Sequence, residues 1–236
     1  MTETWVSTLA QGKADLERAS TAQKVADMLR ERVLDGELEP GLRLSEEAIG
    51  GALGVSRNTL REAFRLLTRD RILVHEHSRG VFVRRPTGDD VRDLYAARRV
   101  IECGALRLWN DVGDAQREAV RAPVRQAVAR AEKNDFSKTG SANIQFHRGI
   151  VGLAGSIRLS DESDRLFAEL MLAFRVAHEV DAFHQTYLPW NRKIVELLNK
   201  GTVDQAVAQL DEYFDAAEQD LVSRLAADQS KENVKS

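Results

Sequence analysis

The feature that most constrains this chain is the segment from Ser45 to Arg65, where two helical apolar patterns are separated by one glycine-centred break. Ala48, Ile49 and Leu53 lie on one face of a short helix, and Leu60, Phe64 and Leu67 recur at helical spacing in a second. Gly54 between them permits a turn that a side chain would resist, and Val55 can plug the angle between the helices. Ser45 and Ser56 each precede a helix as an N-cap should. Helix, tight turn, helix is the helix-turn-helix plan. It also occurs as a plain supersecondary unit, so the pattern alone leaves both uses open.

The flanks extend this plan. Ser20 followed by Gln23 reads as a capping box opening a helix that carries Val25, Leu29 and Val33 on one face. Gly36 is placed to end it, and Pro40-Gly41 marks a turn. Beyond the second helix, Ile72 to His75 and Val81 to Val83 are β-prone and flank the polar turn His77-Ser78-Arg79-Gly80, which predicts a hairpin.

Charge is concentrated in the same region. From Gly54 to Arg85 there are eight arginines and three acids, a local net of +5 in a chain whose formal charge is −3. A basic island in an acidic chain is expected where one module meets phosphate and another does not. Arg57, Thr59 and Arg61 fall in the first two turns of the second helix, where a recognition helix meets base edges. The guanidinium fork suits guanine O6 and N7. Arg65 and then Arg69 continue the row and can follow the backbone. Ser56 caps that helix so that its first N–H groups face phosphate. Arg79 and Gly80 sit at the hairpin tip.

Arg85-Pro86-Thr87-Gly88 punctuates the chain, and everything after it reads as helix. Asp89 or Asp90 is expected to cap a helix carrying Leu94, Ile101, Ala105 and Leu108. Further helices are expected near 114–134, started anew or kinked at Pro123, then over 141–154, 159–182 and 189–199. The last carries Val203, Ala206, Val207, Leu210, Phe214, Ala217 and Leu221, and fraying is expected from about Asp228. The fold class is therefore mainly α: a winged helix-turn-helix followed by an all-helical domain. The expected divisions are a tail at 1–19, the winged domain at 20–85, a linker at 86–88, the helical domain at 89–227 and a tail at 228–236.

Several classes are excluded or disfavoured. No apolar run approaches the roughly 18 residues of a membrane span, and the first ten residues lack the pattern of a secretory signal. Cys103 is the single cysteine, so no intrachain disulfide can form. A cytoplasmic protein is expected, with no membrane partner. None of the common nucleotide-binding, serine-hydrolase or zinc-protease motifs is present, which argues against an enzyme.

The run from Leu34 to Glu46, the run Leu53-Gly54-Val55-Ser56-Arg57-Asn58-Thr59-Leu60-Arg61-Glu62-Ala63, and the sequel through Arg79-Gly80-Val81-Phe82-Val83 resemble the N-terminal domain of the GntR family of bacterial regulators. The resemblance covers roughly 22–85. It implies double-stranded operator DNA as partner, with Arg57, Thr59, Arg61 and Gly80 at DNA-contacting positions and Arg43 at phosphate. Asn58 stands where the family often has Thr.

From Asp89 onward the chain is similar to the all-helical ligand domain of the FadR-type subgroup, the FCD domain. The carrying residues are Leu94 to Glu102, Asn143-Ile144-Gln145-Phe146-His147, Trp190-Asn191-Arg192-Lys193-Ile194 and Ala206 to Phe214. The resemblance implies an antiparallel bundle and a divalent metal held by an aspartate and three histidines beside a small carboxylate effector. Here the aspartate position is Asn143, the first histidine is His147, and the other two positions are Asn191 and Tyr213. One imidazole, two amides and a phenol make a poor transition-metal site, so no metal cofactor is expected. The same groups make a hydrogen-bonding pocket. Arg98 matches the family's pocket arginine and can hold a carboxylate, although it can also pair with Glu102 one turn away on the surface.

The implied function is a homodimeric repressor that a small organic acid releases from a near-palindromic operator, with the segment around Pro86 as hinge. The rival reading is an architectural DNA-binding protein whose second domain only dimerises.

Overall fold

The computed structural model describes residues 13–135, 139–177 and 180–233. The chain divides into two compact units, 1–85 and 86–236.

In the first unit, α1 (Lys13–Leu34) runs through Ser20 without a break. The expected cap at Ser20 is thus corrected. Nothing between Lys13 and Leu34 obstructs a helix, so a local capping signal loses to continued propensity. The helix ends where predicted, at Gly36 with φ +84°. Ser45 caps α2 (Glu46–Leu53), its Oγ accepting from the Ala48 N–H at 3.2 Å. Gly54 closes α2 in the left-handed conformation, φ +63°. Ser56 caps α3 (Arg57–Arg69), whose Leu60, Ala63, Phe64 and Leu67 are buried. They pack against α1, where Val25, Ala26, Leu29 and Val33 are also buried.

A three-stranded antiparallel sheet completes this unit: β1 (Arg43–Leu44), β2 (Leu73–Glu76) and β3 (Gly80–Val83), in the order β1-β3-β2. The hairpin is as expected, with β2 displaced by one residue and β3 beginning one residue earlier. Strand β1 had no signal of its own. It exists because Arg43 and Leu44 pair with Phe82 and Val81 across the sheet.

The second unit is helical throughout its described residues. Helix α4 (Gly88–Leu106) is capped by Thr87, not by Asp89 or Asp90. The Thr87 hydroxyl accepts from the Asp90 N–H, and the Asp90 carboxylate accepts from the Thr87 N–H in return. Asp90 is therefore the N3 partner of a capping box. A short 3-10 turn (Arg107–Asn110) leads to α5 (Asp114–Ala131), which passes through Pro123 as one helix. Helices α6 (Thr139–Gly152), α7 (Ile157–Val176), α8 (Val180–Asn199) and α9 (Val203–Asn233) follow. Pro189 lies inside α8, not at its start, and α9 continues past Asp228. The expected C-terminal end of α7, near residue 182, is corrected to Val176.

Helix α4 packs on α9, α6 and α7, and α8 packs on α9, α6 and α5. The core between them is apolar, built from residues such as Leu94, Phe146, Phe174, Ile194, Leu210 and Phe214. It is interrupted by one group of buried polar side chains.

Candidate functional site

Two places carry chemistry. The first is the exposed start of α3. Arg57 and Asn58 are open to solvent on its first turn. Thr59 is buried, and its hydroxyl lies 2.8 Å from the Ser56 Oγ, which also accepts from the Thr59 N–H at 3.1 Å. Thr59 therefore braces the cap from beneath the helix start. Arg61 is exposed but donates its Nε to both carboxylate oxygens of Glu46, at 3.1 and 3.0 Å. Arg65 donates to Glu62 at 2.6 Å and 2.9 Å. Arg79 pairs with Glu76 and lies 5.5 Å from the centre of the Phe82 ring.

Gly80 takes φ +114°, and a Cβ there would stand 3.3 Å from the Arg43 Nε. The glycine thus lets Arg43 cross close over the hairpin. Arg43, Arg57, Arg61, Arg65 and Arg79 are all exposed within this unit. Glu46, Glu62 and Glu76 were not singled out from the sequence. Each is paired with one of these arginines: Glu46 with Arg61, Glu62 with Arg65 and Glu76 with Arg79.

The second place is the buried polar group. It joins Arg98 and Glu102 of α4, Asn143 and His147 of α6, Asn191 of α8 and Tyr213 of α9, none more than 6% exposed. The five residues expected to line a pocket are brought together. The pairing of Arg98 with Glu102 is real but buried, which corrects the surface alternative. Arg98 Nε donates to Glu102 Oε1 at 2.8 Å, and the other carboxylate oxygen lies 2.6 Å from His147 Nδ1. His147 Nε2 is 3.1 Å from the Tyr213 hydroxyl. Asn143 Nδ2 donates to that hydroxyl at 3.4 Å, and Asn191 Nδ2 donates to Asn143 Oδ1 at 2.6 Å. The Arg98 guanidinium is packed against the rings of Phe214, Tyr95 and Phe167, at 4.9, 5.1 and 5.4 Å.

Burial works against the Glu102 carboxylate, but Arg98 and His147 overcome it and hold its pKa below the ordinary value. Burial also depresses His147, outweighing the pull of Glu102. It pushes the Tyr213 phenol up to about 12. The group is thus an arginine cation, a carboxylate anion and a neutral imidazole, with no net charge. Glu102 was visible in the sequence only as an i+4 neighbour of Arg98. Its burial depends on α6 lying across α4.

These residues do not fit a divalent metal. His147 Nε2, the nitrogen that would ligate, faces the Tyr213 hydroxyl, and the two amides are bonded to their neighbours. A neutral amide and a phenol supply little affinity. Among the described residues no group of three or more His, Cys, Asp or Glu stands together. Among those residues, too, no helix is long and apolar enough to cross a membrane.

Comparison with known proteins places a known family on each of the two units. Residues 21–83 match the family described as bacterial regulatory proteins, gntR family, and residues 93–216 match the FCD domain. A crystal structure of a transcriptional regulator GntR from Rhodococcus sp. RHA1 is 37% identical, with a TM-score of 0.77. The match covers 86% of this chain and 98% of that one. The HTH-type transcriptional regulator YdhC of Bacillus subtilis (strain 168) is 25% identical over 76% of this chain and 81% of its own length. A protein of Paenarthrobacter nicotinovorans named as a D-xylose utilization operon transcriptional repressor is 28% identical over 81% of this chain and 84% of its own length. The family and these relatives are transcriptional regulators, not enzymes. The chain belongs to the GntR family of bacterial regulatory proteins, as a member that carries an FCD domain.

Proposed function

We propose that this regulator binds a near-palindromic operator as a homodimer, represses from it, and is released by a small organic acid held in the buried polar group. The observation that carries the effector reading is Arg98. Its side chain is 2% exposed, Glu102 takes its Nε, and its Nη2 has no partner. A buried guanidinium N–H without an acceptor is costly, and a carboxylate oxygen satisfies it with a charge-assisted bond. No metal takes part in this reading.

DNA reading falls to Arg57 and Arg61 on the open turns of α3, with Arg43, Arg65, Arg79 and the Ser56-capped helix start on phosphate. Thr59 supports that start from below. A dimer presents two such helices, so the operator carries two half-sites. The names of several relatives include repressors, among them the D-xylose utilization protein above. Control requires the acid to bind the DNA-free form more tightly than the DNA-bound form, by about 1–3 kcal/mol.

The test begins with selection of operator DNA from a random pool. Small carboxylates are then screened by thermal shift, and hits are assayed for operator release. Arg98→Lys keeps the charge and the partner for Glu102 while losing the guanidinium fork. Acid affinity should fall at least about tenfold in this variant with operator binding unchanged. An Arg98→Lys protein that answers every hit with parental affinity would place the acid elsewhere.

A further inference from the structure

Helix α5 buries Val120, Val124 and Ala127, and it packs on α6 and α8. On its other side Arg125, Ala129 and Glu132 are exposed, at helical spacing with the half-buried Arg121 and Val128. Together with Arg192, Val195 and Glu196 of α8, that face lines an open groove of about 480 Å³.

Two of the arginines in this groove are paired close at hand. Arg125 donates to Glu118 at 2.6 Å, and Arg192 donates to Glu196 at 2.9 Å. Arg121 is different. Its guanidinium lies 4.9 Å over the Trp109 ring, but it makes no ion pair or hydrogen bond with any described residue. The exposed Glu132 carboxylate makes none among those residues either. These two charges stand at opposite ends of one helix face, about 16 Å apart along the axis at 1.5 Å per residue, so they cannot pair with each other.

A face with a free cation at one end and a free anion at the other is complementary to itself when turned end for end. Resting on the homodimer reading above, we infer that the groove takes α5 of a second copy, antiparallel across a two-fold axis. Arg121 then meets the partner's Glu132, and Glu132 meets the partner's Arg121, because a two-fold contact makes every pair twice. The same register sets the aliphatic stem of Arg125 against the partner's Val128, which covers the apolar middle of the groove. Other occupants fit less well. A small anion satisfies Arg121 and meets the carboxylates of Glu132 and Glu196. A segment of one charge satisfies one end and opposes the other.

The test measures dimerisation of the full-length protein by sedimentation equilibrium. Arg121→Glu and Glu132→Arg each bring like charges together at both ends of the contact, which costs more than losing an exposed pair. Each variant alone should dimerise at least about tenfold more weakly than the parent. An equimolar mixture of the two should recover dimers, since both contacts of a mixed dimer join opposite charges. Native mass spectrometry separates mixed dimers from self-dimers. Thermal melts establish which variants fold; if Arg121→Glu does not, the exposed Glu132→Arg decides, and its defect should shrink at high salt. A folded Glu132→Arg protein that dimerises as the parent does overturns the inference and leaves the homodimer reading standing. Two weakened variants that do not recover on mixing also overturn it. A parent that stays monomeric at every concentration overturns the homodimer reading, and this inference with it.

Discussion

Arg98 and Glu102, one turn apart on α4, form an ion pair at 2.8 Å with both side chains excluded from solvent. Such a pair is weak evidence of stability, because both charges leave water, but removing one partner strands the other. Glu102→Leu should therefore cost about 3–5 kcal/mol of folding free energy, and Arg98→Met a comparable amount. The double variant Arg98→Met, Glu102→Leu should recover much of either loss. Urea denaturation of the parent and the three variants measures the coupling, and additive losses would show that the pair acts independently. Arg98→Ala alone is accordingly a poor probe of effector binding.

Arg57 and Thr59 should separate in assays that compare folding with DNA affinity. Arg57→Ala is expected to weaken operator binding by about 1–3 kcal/mol and relax discrimination, with little change in melting temperature. Thr59→Ala should lower the melting temperature, because Thr59 is buried against the Ser56 cap. The loss of a cap contact is on the order of 1 kcal/mol. Paired gel-shift and thermal-melt measurements decide; an Arg57→Ala protein that binds as the parent does removes it from the reading surface.

Purified protein should carry zinc, nickel or manganese far below one equivalent per chain, because Asn143, Asn191 and Tyr213 stand in for stronger ligands. Elemental analysis after dialysis checks this. About one bound metal per chain, lost in His147→Ala, would overturn it.

The buried imidazole makes acid destabilising. The folded pKa of His147 lies below its ordinary value of 6.5, so its contribution is present above 6.5 and lost as pH falls through the folded value. Glu102, also depressed from 4.5, adds a second loss below that. Stability should be flat from pH 8 to 7 where these groups are concerned. On further acidification it should fall by at most about 1.4 kcal/mol per pH unit for each group. Denaturant titrations at pH 7.5, 6.0 and 5.0 on the parent and His147→Gln test this. An unchanged slope in the variant assigns the acid sensitivity to other groups.

Gly149 on α6 meets α5 so closely that a Cβ there would lie 2.6 Å from the Ala119 carbonyl oxygen. Pro123, four residues along, has no N–H to give that carbonyl. Gly149→Ala should thus force the helices apart and cost about 1–3 kcal/mol. Thermal denaturation reads the loss, and a parental melting temperature would show that the crossing relaxes freely.

The local rules legible in the sequence were those whose physics is local. Ser45, Gly54 and Ser56 act within one turn of their own position, so the two helices and their tight junction follow from residue type and spacing alone. The family motifs likewise placed Arg98, Asn143, His147, Asn191 and Tyr213 in one group, because their residues could be matched one by one. Packing decided what spacing could not. Strand β1 exists only through its pairing with β3, and α1 runs through Ser20 because nothing in its sequence stops it. Arg98 and Glu102 have the same i+4 spacing whether they face solvent or core; the layering of α6 and α9 on α4 buries them. That burial turns a surface ion pair into the anchor of a hydrogen-bond network that runs from Glu102 through His147 and Tyr213 to Asn143 and Asn191. Sequence spacing sets which neighbours a side chain can reach along its own helix, whereas the dielectric around it and its partners on other helices exist only once the bundle has closed.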